Sequence, residues 1–365
     1  MYRRYLQIIF GLCGIVAAFV LAMAVWLGPL SGDLTRVGGY SERDFGWNGT
    51  ERIFSPPLAE PGRRGGAYDI VVVGDSFSSR TSPDRQTRDG SFWTDFLAAD
   101  TGRRVGVFDV SRTPMEDFLA SPAYRVYPPR LVVLELSERW LSRRLAGPTT
   151  CPVAAPDLPS HLSAVPDPLI PGGYRRPLLP RTIETAASEA ADYLKKAFWR
   201  RVFHRDATPA VRLPLSRADL FTSRRPGELL IFADDLDKVH WSAADWTMMR
   251  CRLLRYQREV TSNGTTAFLF LLAPDKSTVY ADYLPPEPWQ IDAAERLADP
   301  PGLAMPRLDL VLRAAVAAGT RDVYLPNDSH WSTTGSRIVA RAVLQYLQPS
   351  PAPAVAGIGD TTASR

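Results

Sequence analysis

The stretch IVVVGDSFSS, Ile70 to Ser79, runs four apolar residues straight into Gly-Asp-Ser, with a second serine two places on. An all-apolar run of this length bounded by turn residues reads as a buried strand. Gly, Asp and Ser are ordinary turn formers, so the motif by itself fixes only where a strand ends. Whether Ser76 is a nucleophile depends on a base and an orienting acid reaching the same place.

Working outward, the same pattern recurs. Helical spacing follows in DGSFWTDFLAADTG, with Phe92, Trp93, Phe96 and Leu97 repeating and Gly102 as a stop. RVGVFDVS reads as a second strand, PMEDFLAS as a short helix and PRLVVLELSER as a third strand. All-apolar strands alternating with helices mark a parallel sheet covered on both faces, an α/β fold. From about Trp140 to Pro226 the chain is Pro-rich, with one helix near Thr182–His204, and reads as an insertion or lid over about 141–226. The alternation resumes with ELLIFADD, a helix over Ser242–Thr261, and TAFLFLLAPDK as a fourth strong strand. A helix in RLDLVLRAAVAAG, a short strand in DVYLPNDSHW and a closing helix follow. That last helix places Ile338, Val339, Ala342, Val343, Tyr346 and Leu347 on one face. Residues 31–57 read as an irregular lead-in, and 348–365 as a disordered tail.

The chain has 365 residues, 45% hydrophobic and 22% charged, which are globular values. A net charge of +4, with arginines scattered rather than massed, argues against nucleic acid as a partner. The N-terminus carries Arg3 and Arg4 and then no charge until Asp33. Residues 1–30 are long and apolar enough for a transmembrane anchor. The leading arginines would keep the N-terminus in the cytoplasm and put the rest outside, a single-pass inner-membrane protein with its main domain (31–347) in the periplasm. A signal peptide cleaved at Ala22-Met23-Ala24 is the rival. Cys151 and Cys251 would then meet an oxidising space, where pairing and two free thiols are equally open readings.

In open parallel α/β sheets ligands bind at the carboxyl ends of the strands. Asp75-Ser76 ends the first strand, Asp109 and Ser111 the second, Glu135 to Arg139 the third, and Pro274-Asp275-Lys276 the fourth. Asn327-Asp328-Ser329-His330 follows the last short one. In an extended segment residues i and i+2 point the same way, so Asp328 can orient His330 and leave its far nitrogen as a base for Ser76. The bland alternative makes Asp328 a turn former ahead of a helix capped by Ser332. His161, His204 and His240 lack such company and read as surface or packing residues. No Cys/His/carboxylate cluster has zinc spacing, and no phosphate- or dinucleotide-binding glycine motif is present, so neither metal nor cofactor is expected.

VVVGDSFS, PRLVVLELSER, LLAPDKSTVYADYLP and NDSHWSTTGSRIVARAV together resemble the alginate O-acetyltransferase group of SGNH-hydrolase-like proteins, the AlgJ/AlgX type. The resemblance covers about Asp69–Trp140 and Leu229–Leu347. It implies a flavodoxin-like three-layer sandwich and a Ser-His-Asp triad of Ser76, His330 and Asp328. It also implies acetylation of an exported polysaccharide beside a membrane-bound O-acyltransferase partner. Two departures stand out. That group places Asp-x-His before its serine, and the Gly-x-Asn-Asp block of SGNH esterases is replaced by Glu-Leu-Ser-Glu-Arg. The oxyanion donors expected are therefore the Ser76 N–H and the Ser111–Arg112 turn. Asp75, Arg139, Lys276 and Trp331 are further candidates for the substrate site. Arg139 and Lys276 either orient an anionic sugar or pair with Asp275 and Glu138. No alginate-specific module is recognisable. The rivals to O-acetyl transfer are an esterase with the same triad and a non-catalytic sugar-binding subunit of an export complex.

Overall fold

The computed structural model describes residues 2–27, 31–80, 88–147, 150–151, 162–174, 187–203, 209–286, 291–299 and 302–348. The expected tail beyond residue 348, His161, His204 and the first turn of the helix expected from Thr182 lie outside them. The strands are β1 (Glu51–Ile53), β2 (Glu60–Pro61), β3 (Ile70–Gly74), β4 (Val105–Asp109), β5 (Leu131–Ser137), β6 (Gly172–Tyr174), β7 (Ala210–Pro214), β8 (Glu228–Phe232) and β9 (Ala267–Ala273). The helices used below are α1 (Tyr2–Leu27), α2 (Asp33–Gly38), α3 (Trp93–Thr101), α4 (Met115–Ala120), α5 (Ala187–Phe203), α6 (Ala243–Thr261), α7 (Leu308–Ala317) and α8 (Thr333–Leu347).

Five strands form one parallel sheet in the order β2-β4-β3-β5-β9. The chain leaves β3 for β4 on one side and then crosses to β5 on the other. The end of β3 is therefore the point where the winding reverses, and there a crevice opens at the strand ends. Side chains of β3 alternate between two apolar clusters, and all four of its hydrophobic residues are fully buried. Ile70 and Val72 join Phe96 and Leu97 of α3, Leu312 of α7 and Val339 and Val343 of α8. Val71 and Val73 join Phe118 of α4 and Met249, Leu253 and Val260 of α6. Burial on both faces is why β3 and β9 contain no polar alternation.

Most helix limits follow local chemistry. Gly102 adopts φ +62 and ends α3. Ser242 and Asp245 form a reciprocal cap on α6. Ser332 accepts from the Thr334 and Gly335 N–H groups and starts α8. Of the apolar stripe expected on α8, Val339, Ala342 and Val343 are buried and Ile338 and Leu347 half-buried, while Tyr346 is largely exposed. In α1 the window Tyr2–Ala22 has a mean hydropathy of 2.3 and is not buried at all. A core helix would be covered, so α1 has the character of a membrane anchor or a signal.

Three expectations are corrected. ELLIF does not rejoin the sheet: β8 pairs antiparallel with β7 in a separate hairpin. DVYLPNDSHW makes only an isolated bridge between Tyr324 and Trp331, so the loop bearing His330 is not a sheet strand. The lead-in is ordered: it contains α2, a turn of helix at Glu42–Phe45 and β1, which pairs with β6.

Cys151 and Cys251 form a disulfide across 100 residues of chain. It ties the start of the Pro-rich region to the buried side of α6. Alkylation of the denatured, unreduced protein should label one thiol per chain, Cys13, and reduction should raise that to three, as read by intact mass. Replacing both cysteines by serine should cost about 5 kcal/mol, the loop-entropy value for a closure of this length, seen as a lower denaturation midpoint.

Candidate active site

The turn after β3 is held from below. The Asp75 carboxylate accepts from the Phe77 N–H (2.9 Å), the Ser137 N–H (3.0 Å) and the Ser137 hydroxyl (2.7 Å). Its own N–H donates to Glu135 Oε2 (3.0 Å). The turn tightens through Ser78 N–H to Asp75 O at 3.1 Å. Gly74 is required by proximity: a Cβ there would lie 2.5 Å from Ser78 Oγ and 2.7 Å from Glu135 Oε2. The effect is to lift Ser76 clear while its neighbours are buried.

Ser76 Oγ lies 2.7 Å from His330 Nε2, and His330 Nδ1 lies 2.5 Å from Asp328 Oδ1. The three expected residues thus meet although 252 positions of sequence separate Ser76 from Asp328 (328 − 76). His330 and Asp328 are buried. Phe77 packs its ring 4.7 Å from both the His330 and the Trp331 rings. Burial alone would raise the Asp328 carboxyl. The His330 charge, the ring N–H and the backbone N–H groups of Asp33 and His330 instead hold it well below the usual carboxylate range. An ionised Asp328 fixes the imidazole tautomer with Nδ1–H toward it and leaves Nε2 to accept from Ser76.

Asp33, in the supposed lead-in, escaped the sequence reading. Its N–H donates to Asp328 Oδ2 (3.0 Å), and its carboxylate accepts from the Ser329 N–H (2.8 Å) and hydroxyl (2.6 Å). Its Oδ2 lies 3.7 Å from His330 Nδ1. Burial, then the adjacent Asp328 charge, pushes its carboxyl upward. Asp33, Asp328 and His330 bring ligand-type atoms within 4.8 Å of one another. All four carboxylate oxygens already accept hydrogen bonds from this chain, so the trio is bonded as a support for the imidazole and not as an open metal cage.

The other candidates take different places. Lys276 is buried, and its ammonium donates to the carbonyls of Leu325 (2.9 Å), Asp328 (3.1 Å) and Pro326 (3.3 Å). Burial lowers it to about 7, partly offset by Asp33 and Asp328. Arg139 is buried between Asp235 (2.7 Å) and Asp275 (3.1 Å), with its guanidinium over Phe77 and Phe232. Glu138 pairs with Lys238 (2.6 Å), a partner 100 positions away (238 − 138) that no local signal indicates. Trp331 is a packing residue against Phe77 and Tyr324. The Ser111–Arg112 turn is not an oxyanion donor: Ser111 N–H donates to Asp109 Oδ1 (2.8 Å) and Arg112 N–H to Asp109 O (3.0 Å). The exposed Ser111 hydroxyl accepts instead from Arg144 (2.6 Å). Ser76 N–H has no protein acceptor among the described residues and remains the available donor. Beside this turn a hollow of about 390 Å³ reaches Ser78, Ser79, Phe92, Asp109 and Arg112.

Residues 230–364 match the model of a family described as an SGNH hydrolase-like domain, acetyltransferase AlgX. The match bears out the resemblance seen in the sequence and supports an enzyme of the acetyltransferase or esterase type. It takes in Lys276, Asp328 and His330, while Ser76 lies outside it. No curated protein and no solved structure matches the chain.

Glu135, beneath the turn, offers a test of this support. It is fully buried. Burial first, and the Asp75 charge second, push its carboxyl well above 4.5. The unfolded chain therefore ionises this group at a pH where the folded one does not. Its contribution to stability is complete below the ordinary glutamate value and is lost as pH rises toward the folded one. Glu135→Gln keeps the shape without titrating. The melting temperature of the Gln variant relative to wild type should rise progressively above about pH 4.5, followed by thermal melts from acid to neutral pH. A difference that does not vary with pH would contradict the assignment.

Proposed function

We propose that this protein is an O-acetyltransferase that moves an acetyl group onto hydroxyls of an exported polysaccharide through an acetyl-Ser76 intermediate. The observation that carries the reading is the unbroken chain Ser76 Oγ to His330 Nε2 and His330 Nδ1 to Asp328 Oδ1. The family match, which is to an acetyltransferase, selects acetyl as the group transferred.

Ser76 Oγ attacks the acetyl carbonyl carbon while its proton passes to His330 Nε2. The carbonyl electrons move onto oxygen, where the Ser76 N–H donates to the oxyanion. Collapse of the intermediate breaks the bond to the donor's leaving group, which takes the proton back from His330. A sugar hydroxyl then gives its proton to Nε2 and attacks acetyl-Ser76; the new ester forms, the bond to Ser76 Oγ breaks, and Oγ takes the proton back from Nε2. Asp328 holds the imidazole and stabilises its charged form; it does not itself take up the proton. The reading extends to an SGNH-type three-layer domain over 31–347 with an insertion at about 141–226. An uncleaved anchor at 1–30 would hold it on the periplasmic side, beside a membrane-bound acyl donor. The same first half-reaction with water as acceptor would make an esterase. A non-catalytic sugar-binding subunit is disfavoured by the complete hydrogen-bonded triad.

Incubation with an activated acetyl ester should add one acetyl mass to the wild type, located on Ser76 by peptide mapping. Ser76→Ala should abolish it. Ser76→Ala and His330→Ala should each lower acetyl-ester turnover by roughly 10³-fold or more, with the double variant scarcely worse, because the pair acts as one unit. A folded Ser76→Ala protein with near-normal turnover would falsify the nucleophile. Turnover that rises with added oligosaccharide, yielding acetylated sugar, favours the transferase; release of acetate alone favours the esterase.

A further inference from the structure

The acyl-transfer steps leave Lys276 unused, although it is bonded to the loop that carries the base. It is 1% exposed. Its ammonium spends all three N–H groups on backbone carbonyls: Leu325 at 2.9 Å, Asp328 at 3.1 Å and Pro326 at 3.3 Å. The Leu325 N–H in turn donates to His330 O (3.0 Å). The carbonyls held by the lysine and the residue that bears the imidazole are therefore parts of one closed loop.

A neutral amine cannot hold the loop in the same way. It has two N–H groups for three carbonyls and turns a lone pair on the third, where the ammonium has three donors and no acceptor. The surroundings bring this change within reach of ordinary pH. Burial lowers the ammonium to about 7; Asp33, Asp328 and Asp235 oppose the shift and Arg139 adds to it. These charges come from the start of α2, the His330 loop, the Ala233–His240 turn and the end of β5. The Phe221 ring, 5.5 Å from the ammonium, brings none. Asp275, beside Lys276 in the chain, is itself raised to about 7.

We propose that Lys276 is a positioning residue for His330 and that the site is competent only while this lysine is an ammonium. The inference rests on the reading of Ser76, His330 and Asp328 as a catalytic triad. Freeing the His330 nitrogen makes a better base, so a loss of activity toward alkaline pH has to come from another group. Stability runs the other way. The unfolded lysine, at about 10.4, holds its proton more tightly than the folded one, at about 7. The group weighs against the fold in full below the folded value and progressively less as pH rises from there toward the unfolded one. Turnover should fall above neutrality while this group's effect on the melting temperature is upward.

The test uses the full chain in detergent, with hydrolysis of p-nitrophenyl acetate corrected for the rate of Ser76→Ala. In wild type kcat should fall as pH rises through about 7, with KM little changed. Hydrogen exchange of the peptide holding residues 325–330, corrected for its intrinsic pH dependence, should quicken over the same range, a reading that needs no turnover. Lys276→Arg keeps a charge that ordinary pH does not remove and should abolish both changes. Lys276→Met lacks the donors. It should lower turnover about ten-fold or more at every pH, as the loss of buried hydrogen bonds requires, leave kcat flat above neutrality and open the loop to exchange even in acid. Near-ultraviolet circular dichroism shows whether each variant is folded. A wild-type kcat that does not fall, a fall that survives in Lys276→Met, or a fall that tracks a lower melting temperature overturns the proposal. So does a fall kept in Lys276→Arg and abolished by Asp275→Asn, which would assign the step to the Arg139 cluster. If wild type neither turns over the ester nor acetylates Ser76 at any pH, the triad reading fails, and the exchange measurement alone decides whether Lys276 holds the loop.

Discussion

The loop from Leu325 to His330 belongs to no sheet, so its carbonyls have no ladder to satisfy them. Lys276 supplies the missing donors. It emerges from the end of β9 and gives its three N–H groups to Leu325, Pro326 and Asp328, the segment that leads into His330. An ammonium used in this way must be buried, and burial has brought it down to about 7. Loss of that group would leave the buried carbonyls of Pro326 and Asp328 unpaired, while Leu325 O keeps the Asp328 N–H, and each unpaired carbonyl costs about 1–3 kcal/mol. The position of His330 is thus set by a lysine whose ammonium is turned to the carbonyls of its loop. From the other side Asp33 binds Ser329 and Asp328, so the loop is clamped between β9 and the segment after α1.

A second buried cluster carries the neighbouring wall. Arg139 and Lys238 sit among Asp235, Asp275 and Glu138 at the ends of β5 and β9. Two fixed cations cannot neutralise three carboxylates in such a place. Burial, and then the Asp235 charge, raises Asp275 to about 7. Removing one partner from a buried network costs more than the net worth of the pair, because the remaining charge is stranded. The cluster joins the turn Ala233–His240 to the sheet, and it turns the Pro-Asp-Lys motif from an apparent substrate clamp into a structural node.

The sheet was legible because its strands are buried on both faces and therefore spelled without polar alternation. The triad was legible because a Gly-Asp-Ser turn and an Asp-x-His pair are both short-range signals. What failed were inferences needing partners far away in the chain. An apolar run such as ELLIF has the same spelling in a parallel sheet and in a hairpin, and only the pairing of Leu213 with Leu229 distinguishes them. Asp33 reads as a polar residue after an apolar helix, and nothing local reveals an acceptor 295 positions away. Arg139 and Lys276 advertise charge, but sequence does not say whether charge is spent inside or offered to a ligand. Ser111 was misread for a related reason: Asp109 closes the turn on itself and consumes the N–H groups that an oxyanion would need.

Six residues of α2 connect the loop bearing His330 to α5. At its start Asp33 supports the imidazole loop; at its last residue Gly38, and two residues on at Tyr40, its carbonyls hold α5. Gly32 admits no larger residue there, since a Cβ would fall 2.0 Å from the Asn327 carbonyl. Gly39, at φ +65 and against Ala197 and Lys196, is similarly confined. A short helix pinned at both ends transmits orientation without slack. On the anchored reading, the chain leaving the bilayer is therefore within five residues of the loop that carries His330.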